Sequence, residues 1–261
     1  MTRYVTSADG TRIAYDRQGS GPAVILVASA IQFRAFDPTT VELARQLAAA
    51  GFDVINYDRR GRGDSTDTLP FSVDREVQDI AALVELAGGS AALFGSSSGG
   101  ALCLWAAASG LDLTGLVLWE VPLSLEGEGD GGEWLIGLQQ RIAQGDRGAA
   151  VEFYMRDMPA EWLEAAKRSQ AWPVMKDVAP TLVYDAAALE RAQRGPWAQL
   201  WGSVTAPVRV LLGERTLPLF PPVADALERA LPNASQRRID AADHGWRPEV
   251  MAAAMAEFLR A

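Results

Sequence analysis

Leu93-Phe94-Gly95-Ser96-Ser97-Ser98-Gly99-Gly100 is the stretch on which the reading of this 261-residue chain turns. An apolar run, Ala91 to Phe94, enters Gly-x-Ser-x-Gly, and helix-forming Ala101-Leu102-Cys103-Leu104-Trp105 leaves it. The order is strand, sharp turn, helix. A serine at the centre of such a turn is forced into a strained backbone conformation, and only small neighbours at Gly95 and Gly99 let strand and helix approach closely enough. The strain holds Ser97 Oγ out of the sheet. Ser98 then begins the helix, so its main-chain N–H is an unpaired donor at the positive end of the helix dipole. The pattern predicts a nucleophile, Ser97, with half an oxyanion hole beside it. Glycine and serine also make plain tight turns and phosphate-cradling loops, but a Walker-type loop ends in Gly-Lys-Ser/Thr and this one does not. The central position selects Ser97 over Ser96 and Ser98.

Working outward, the chain alternates short apolar runs with helical spacing. Asp9-Gly10 marks a hairpin between Tyr4–Ser7 and Ile13–Asp16. Val24–Val27 reads as a strand buried on both faces, Phe52–Tyr57 and the elbow run as strands, Leu116–Trp119 and Val208–Leu212 as further buried strands, and Gln236–Ile239 as the last. Helices are expected at about Pro38–Ala50, Val73–Ala87, Pro222–Leu231 and Pro248–Arg260. This alternation predicts an α/β fold: an eight-stranded, mainly parallel sheet with helices on both faces and ligands outside the carboxyl ends of the strands. It is interrupted once. Residues 123–201 show helical patches and no strand, predicting a helical cap inserted into a core made of 1–122 and 202–261. The cap carries Trp134, Trp162, Trp172, Trp197 and Trp201, five of eight tryptophans. With Phe153, Tyr154, Met155 and Met158 they form either the cap's own core or an apolar, partly aromatic pocket.

Composition narrows the classes of partner. Twenty-four Lys and Arg against 33 Asp and Glu leave a formal charge of -9, which argues against nucleic acid and anionic membrane surfaces. No signal-peptide-like start and no run of about 18 apolar residues is present, so a cytoplasmic protein is expected, a monomer or homodimer. One cysteine, Cys103, excludes an internal disulfide and a multi-cysteine zinc site. It reads as a small buried hydrophobe.

A serine hydroxyl needs a base to take its proton, and the chain has one histidine, His244, in the loop Ala242-Asp243-His244-Gly245-Trp246 after the last strand. The histidine in turn needs a carboxylate to fix its tautomer. At this point the chain resembles the α/β-hydrolases over nearly its full length, through Asp58-Arg-Arg-Gly-Arg-Gly-Asp-Ser65, the Gly95–Gly99 elbow and Asp243-His244-Gly245. In most such enzymes the acid lies in a Gly-x-x-Asp turn after the cap; here that turn reads Gly213-Glu214-Arg215-Thr216, with threonine at the acid position. The fold's second location is the end of the strand after the elbow helix, here Leu118-Trp119-Glu120-Val121-Pro122. A glutamate closing an apolar strand is costly unless paired, so Glu120 is preferred over Glu214, and Asp225 and Asp243 rank lower. The combination resembles the zearalenone-type lactonases and related bacterial hydrolases.

That resemblance implies a second oxyanion donor in Val27-Ala28-Ser29-Ala30-Ile31, where many relatives carry His-Gly; Ala30 N–H serves whatever its side chain. The site expected is therefore Ser97, His244 and Glu120, with Ala30 and Ser98 as the oxyanion hole. Ile31, Trp134, Tyr154, Trp172 and Trp246 are the expected substrate contacts. The chemistry expected is hydrolysis of a small apolar ester or lactone with no metal or organic cofactor. A carbon–carbon bond hydrolase of a diketone-like substrate uses the same triad, cofactor-free oxygenation of an aromatic ketone would show as oxygen uptake, and a non-catalytic small-molecule receptor could share the fold. Gly61-Arg-Gly-Asp-Ser65 matches a cell-adhesion pentapeptide by string alone, and reads better as a turn following a strand.

Overall fold

A computed structural model describes residues 2–261. The eight predicted strands are β1 (Arg3–Thr6), β2 (Arg12–Gly19), β3 (Ala23–Val27), β4 (Asp53–Tyr57), β5 (Ala91–Ser96), β6 (Leu113–Trp119), β7 (Val208–Arg215) and β8 (Ala234–Ala242). They form one sheet in the order β1-β2-β4-β3-β5-β6-β7-β8. β1 and β2 run antiparallel to their neighbours and β3 to β8 are parallel, so β5 and β6, which carry the elbow and Glu120, lie inside the sheet. Several strands are longer than the sequence predicts, β2 and β8 most of all. β2 runs on to Gly19 because its second half pairs with β4, and β8 starts at Ala234 because β7 pairs along its full length. Both are polar outside their centres, where one face meets solvent and the apolar signal fades.

Alternate residues of β3 point to opposite faces and define two layers. Val24 and Leu26 pack with Leu43 and Leu47 of α1 (Pro38–Ala49) and Met251 and Met255 of α11 (Pro248–Leu259). Ile25 and Val27 pack with Ile80 and Leu83 of α2 (Val73–Ala87), Leu102 and Leu104 of α3 (Ser98–Ala108) and Val223 and Leu227 of α10 (Phe220–Ala230). Each such side chain taken fully out of water contributes about 1.5–3 kcal/mol before ordering costs. Helix starts follow local chemistry: Asp37 accepts the Thr40 N–H at α1, and Ser72 accepts the Arg75 N–H at α2. α3 is buried from Ser98 to Ala107, as a helix apolar all round must be.

Between β6 and β7 the described residues contain no strand. The segment forms α4 (Glu133–Ala143), α5 (Arg147–Tyr154), α6 (Ala160–Arg168), α7 (Ala171–Val178), α8 (Leu182–Glu190) and α9 (Trp197–Trp201). It packs as two parts. Leu138, Val151, Tyr154, Met155, Met175 and Leu182 form a cluster of their own, with Trp134, Trp162 and Trp172 against it. Ala188, Leu189, Ala192, Trp197 and Trp201 instead join the cluster over α3, where Trp201 meets Trp105 with ring centroids 5.7 Å apart. Among the described residues no helix is long and apolar enough to cross a membrane.

Candidate active site

The elbow has the strain its sequence requires. Ser97 sits at φ 54° and ψ -125°, and of residues 91–107 it alone is not buried. A Cβ on Gly95 would lie 2.5 Å from the Gly100 Cα, and one on Gly99 2.4 Å from the Val27 carbonyl oxygen. Side chains at either position would push strand from helix, or the β3 loop from the helix start. Ser97 is not strained alone. Ile31, Ser97, Glu120, Asp243 and His244 are the five non-glycine residues with positive φ among the described residues, and each is an expected site residue or, for Asp243, the chain neighbour of one. Strain of this kind persists only where surrounding structure fixes it, and it gathers at functional sites.

Glu120 follows the last residue of β6, with its side chain fully buried. Its Oε2 lies 2.7 Å from His244 Nδ1. Its Oε1 accepts the Gly213 N–H at 3.0 Å and the Thr216 hydroxyl. Burial raises the carboxyl pKa, but the bonds from His244, Thr216 and Gly213 outweigh it and hold Glu120 below the usual carboxylate range. An ionised acceptor at Nδ1 places the proton there and leaves Nε2 free as a base. The imidazole is fixed from a second side: Phe220, at the start of α10, stacks on it with centroids 4.8 Å apart and planes 6° from parallel.

Trp119 ties elbow and histidine loop together. Its carbonyl accepts the Ser97 N–H at 2.8 Å, and its indole N–H donates to the His244 carbonyl at 3.1 Å. Among the described residues no hydrogen bond joins Ser97 Oγ to the imidazole. Such contacts are commonly long in unliganded enzymes and tighten on substrate. The Ala30 and Ser98 N–H groups take no hydrogen-bond acceptor among the described residues, which leaves both free for a ligand oxygen.

The other acid candidates lie elsewhere. Glu214, Asp225 and Asp243 are exposed, and Asp225 accepts from Gln236. Thr216, standing where most relatives are expected to carry the acid, braces the acid delivered by β6. Of the expected substrate contacts, Ile31, Trp134 and Trp172 pack against the cluster between β6 and β7 that contains Tyr154, and Trp134 meets Tyr154 with centroids 5.1 Å apart. Trp172 also lines an outer hollow with Asp146, Arg147 and Lys176. Trp246, half-buried, lies edge-on to Phe94 against the layer of α1 and α11. Trp197 and Trp201 are core.

The sequence reading missed a buried ionic cluster beside the elbow. Asp185 of α8, fully buried, pairs with Arg59 and Arg62 and accepts the Ser98 hydroxyl at 2.8 Å. Arg59 also holds Glu76 through two bonds of 2.8 Å. The two guanidinium charges outweigh burial and keep Asp185 below the usual carboxylate range. The arginine of Gly61-Arg-Gly-Asp-Ser65 is thus wholly inside the molecule, where no adhesion receptor could reach it. The available signal was Asp185 itself, one charge in the apolar stretch Leu182-Val-Tyr-Asp-Ala-Ala-Ala-Leu189.

Residues 9–258 match the model of the alpha/beta hydrolase family, and the chain belongs to that family. It is similar to an alpha/beta hydrolase from Sphaerobacter thermophilus, 37% identical, covering 98% of this chain and 99% of that one with a TM-score of 0.88. A thermophilic esterase from Thermogutta terrifontis shares 24% identity over 100% and 98% of the chains, TM-score 0.76. The enol-lactonase from Burkholderia xenovorans shares 19% over 99% and 100%, TM-score 0.70. At those identities the last two speak for the fold. Comparison with curated proteins gives no match.

Proposed function

We propose that this hydrolase is a serine esterase or lactonase acting on apolar carboxylic esters through Ser97, His244 and Glu120. The observation that carries the reading is the buried Glu120 carboxylate on His244 Nδ1, behind a strained, partly exposed serine. His244 Nε2 takes the Ser97 proton as Oγ attacks the ester carbonyl carbon, and the oxygen that gains the charge is received by the N–H groups of Ala30 and Ser98. Collapse expels the alcohol, protonated by His244, and leaves an acyl-serine. His244 then deprotonates a water that attacks the acyl carbon, releasing the acid and restoring the Ser97 hydroxyl. Glu120 holds the imidazole and stabilises its cation in both halves. In a lactone the leaving alcohol stays tethered to the acyl group, and the same steps give a hydroxy acid. The apolar cluster of Trp134 and Tyr154 supports an apolar acyl or alkoxy group, and the net charge of -9 disfavours polyanionic substrates.

The test is turnover of a panel of aryl esters and macrocyclic lactones by the purified chain, with Ser97→Ala as control. Wild type should hydrolyse an activated ester and Ser97→Ala should lose on the order of 10⁶-fold in kcat. Equal activity in the two proteins would discard the assignment. Cleavage of a carbon–carbon bond in a diketone by an otherwise ester-inactive wild type would move the reading to that chemistry.

A further inference from the structure

The buried cluster at Asp185 touches both halves of the oxyanion hole, through Arg62 on the peptide that bears one donor and through Asp185 on the residue that bears the other. Arg62 Nη1 donates to the carbonyl of Ser29 at 2.7 Å. That carbonyl belongs to the same planar peptide as the Ala30 N–H, and in a trans peptide the two point in opposite directions. Fixing the oxygen fixes the line along which the N–H is aimed. A cation on the oxygen also polarises the peptide and strengthens its donor. Arg59 Nη1 reaches the carbonyl of Ala28 at 3.4 Å, and Gln32 Oε1 accepts the Ser29 N–H at 3.1 Å and hydroxyl at 2.8 Å, so the loop is held from both sides. On the other half, Asp185 Oδ1 accepts from the hydroxyl of Ser98, whose own N–H is the second donor. Asp185 Oδ2 holds Arg62.

We infer that Asp185 and Arg62 are positioning residues for the oxyanion hole: one carboxylate from cap helix α8 aligns the Ala30 donor through Arg62 and the Ser98 donor directly. The inference rests on the Ser97 reading above. It makes the cap part of the catalytic apparatus, since α8 supplies the carboxylate that holds both Ser98 and Arg62. A purely structural role for the cluster predicts something else, namely loss of stability alone, because removing one partner leaves a charge buried unpaired.

The molecule contains its own comparison. Arg60 and Asp79 form an equally buried pair, with bonds of 2.7 and 2.8 Å and side chains 0% and 2% exposed, that makes no contact with residues 28–30 or with the elbow. The experiment measures kcat, KM and melting temperature for wild type, Asp185→Asn, Arg62→Lys, Ser98→Ala and Asp79→Asn, using p-nitrophenyl acetate. It also measures inhibition by phenylboronic acid, which takes Ser97 Oγ onto boron and presents a tetrahedral oxygen to the hole. Loss of one whole oxyanion donor costs about 10²–10³ in kcat, so misaiming both should cost about tenfold or more. Asp185→Asn is expected to show that loss in kcat with KM little changed, and a parallel weakening of the boronate. Asp79→Asn is expected to lower the melting temperature while its kcat stays within about twofold of wild type. Arg62→Lys keeps the charge but not the fork, and should lie between wild type and Asp185→Asn. If Asp185→Asn does not fold, Ser98→Ala and Arg62→Lys decide, each with an expected loss of severalfold in kcat and in boronate affinity. Unchanged kcat in those two, or a loss in Asp185→Asn no larger than in Asp79→Asn, overturns the inference alone. A wild type that neither turns over the ester nor binds the boronate overturns the inference and the function together.

Discussion

The ends of β6 and β7 lie side by side at one edge of the sheet, and the chain has divided one task between them. β6 ends in Glu120, which reaches the imidazole; β7 ends in the Gly213 N–H and the Thr216 hydroxyl, which reach Glu120. Most relatives are expected to place the carboxylate in the β7 turn. Here the β7 turn supplies donors instead, so the acid is approached from behind by two hydrogen bonds and needs no second charge. In this chain the imidazole meets a buried carboxylate from one strand end, and the neighbouring strand end completes the hydrogen bonds of that carboxylate.

The comparison breaks most readily at Glu120. Glu120→Gln should lower kcat for an activated ester by about 10⁴-fold, because the amide no longer fixes the tautomer or stabilises the cation. Progress curves for the folded variant would check this. The same variant bears on pH: a carboxyl held below its unfolded pKa contributes stability above the ordinary carboxylate range and loses it as pH falls through the lowered value. Melting temperature against pH should therefore fall on acidification in wild type and less steeply in Glu120→Gln. Moving the acid is a sharper trial. Adding Thr216→Asp to Glu120→Gln should restore about tenfold of the lost kcat, and no recovery would mean that the β7 turn is shaped only to brace. Thr216→Val removes one donor from a buried carboxylate, an expected loss of about 1.5–3 kcal/mol in stability by denaturant unfolding and of severalfold in kcat. Glu214→Gln, at an exposed position, should leave kcat within about twofold.

The strands, their order of appearance and the elbow were legible because buried parallel strands and a Gly-x-Ser-x-Gly turn leave local marks. Ser97, Glu120 and His244 stood out in the sequence through scarcity: one imidazole, one carboxylate closing an apolar strand, one serine at the centre of a forced turn; the structure adds the contact of Glu120 with His244. What stayed hidden is what depends on residues far apart in sequence. Nothing near Asp185 announces Arg59 or Arg62, some 120 residues earlier, whose separations of 126 and 123 positions are closed by folding alone. Trp246 misled for a related reason. Its place two residues after His244 suggested the pocket, but the chain turns after β8 and the ring packs edge-on to Phe94 instead. The insert's tryptophans read as one group, yet they are shared between two clusters that composition cannot separate.

That partition sets where this protein can be recombined. Exchanging the whole segment between β6 and β7 for that of another hydrolase would carry away Trp197 and Trp201 and leave Trp105 facing a hole. A graft that stops before Ala188, and retains the aspartate three places earlier, respects the seam the molecule itself has drawn.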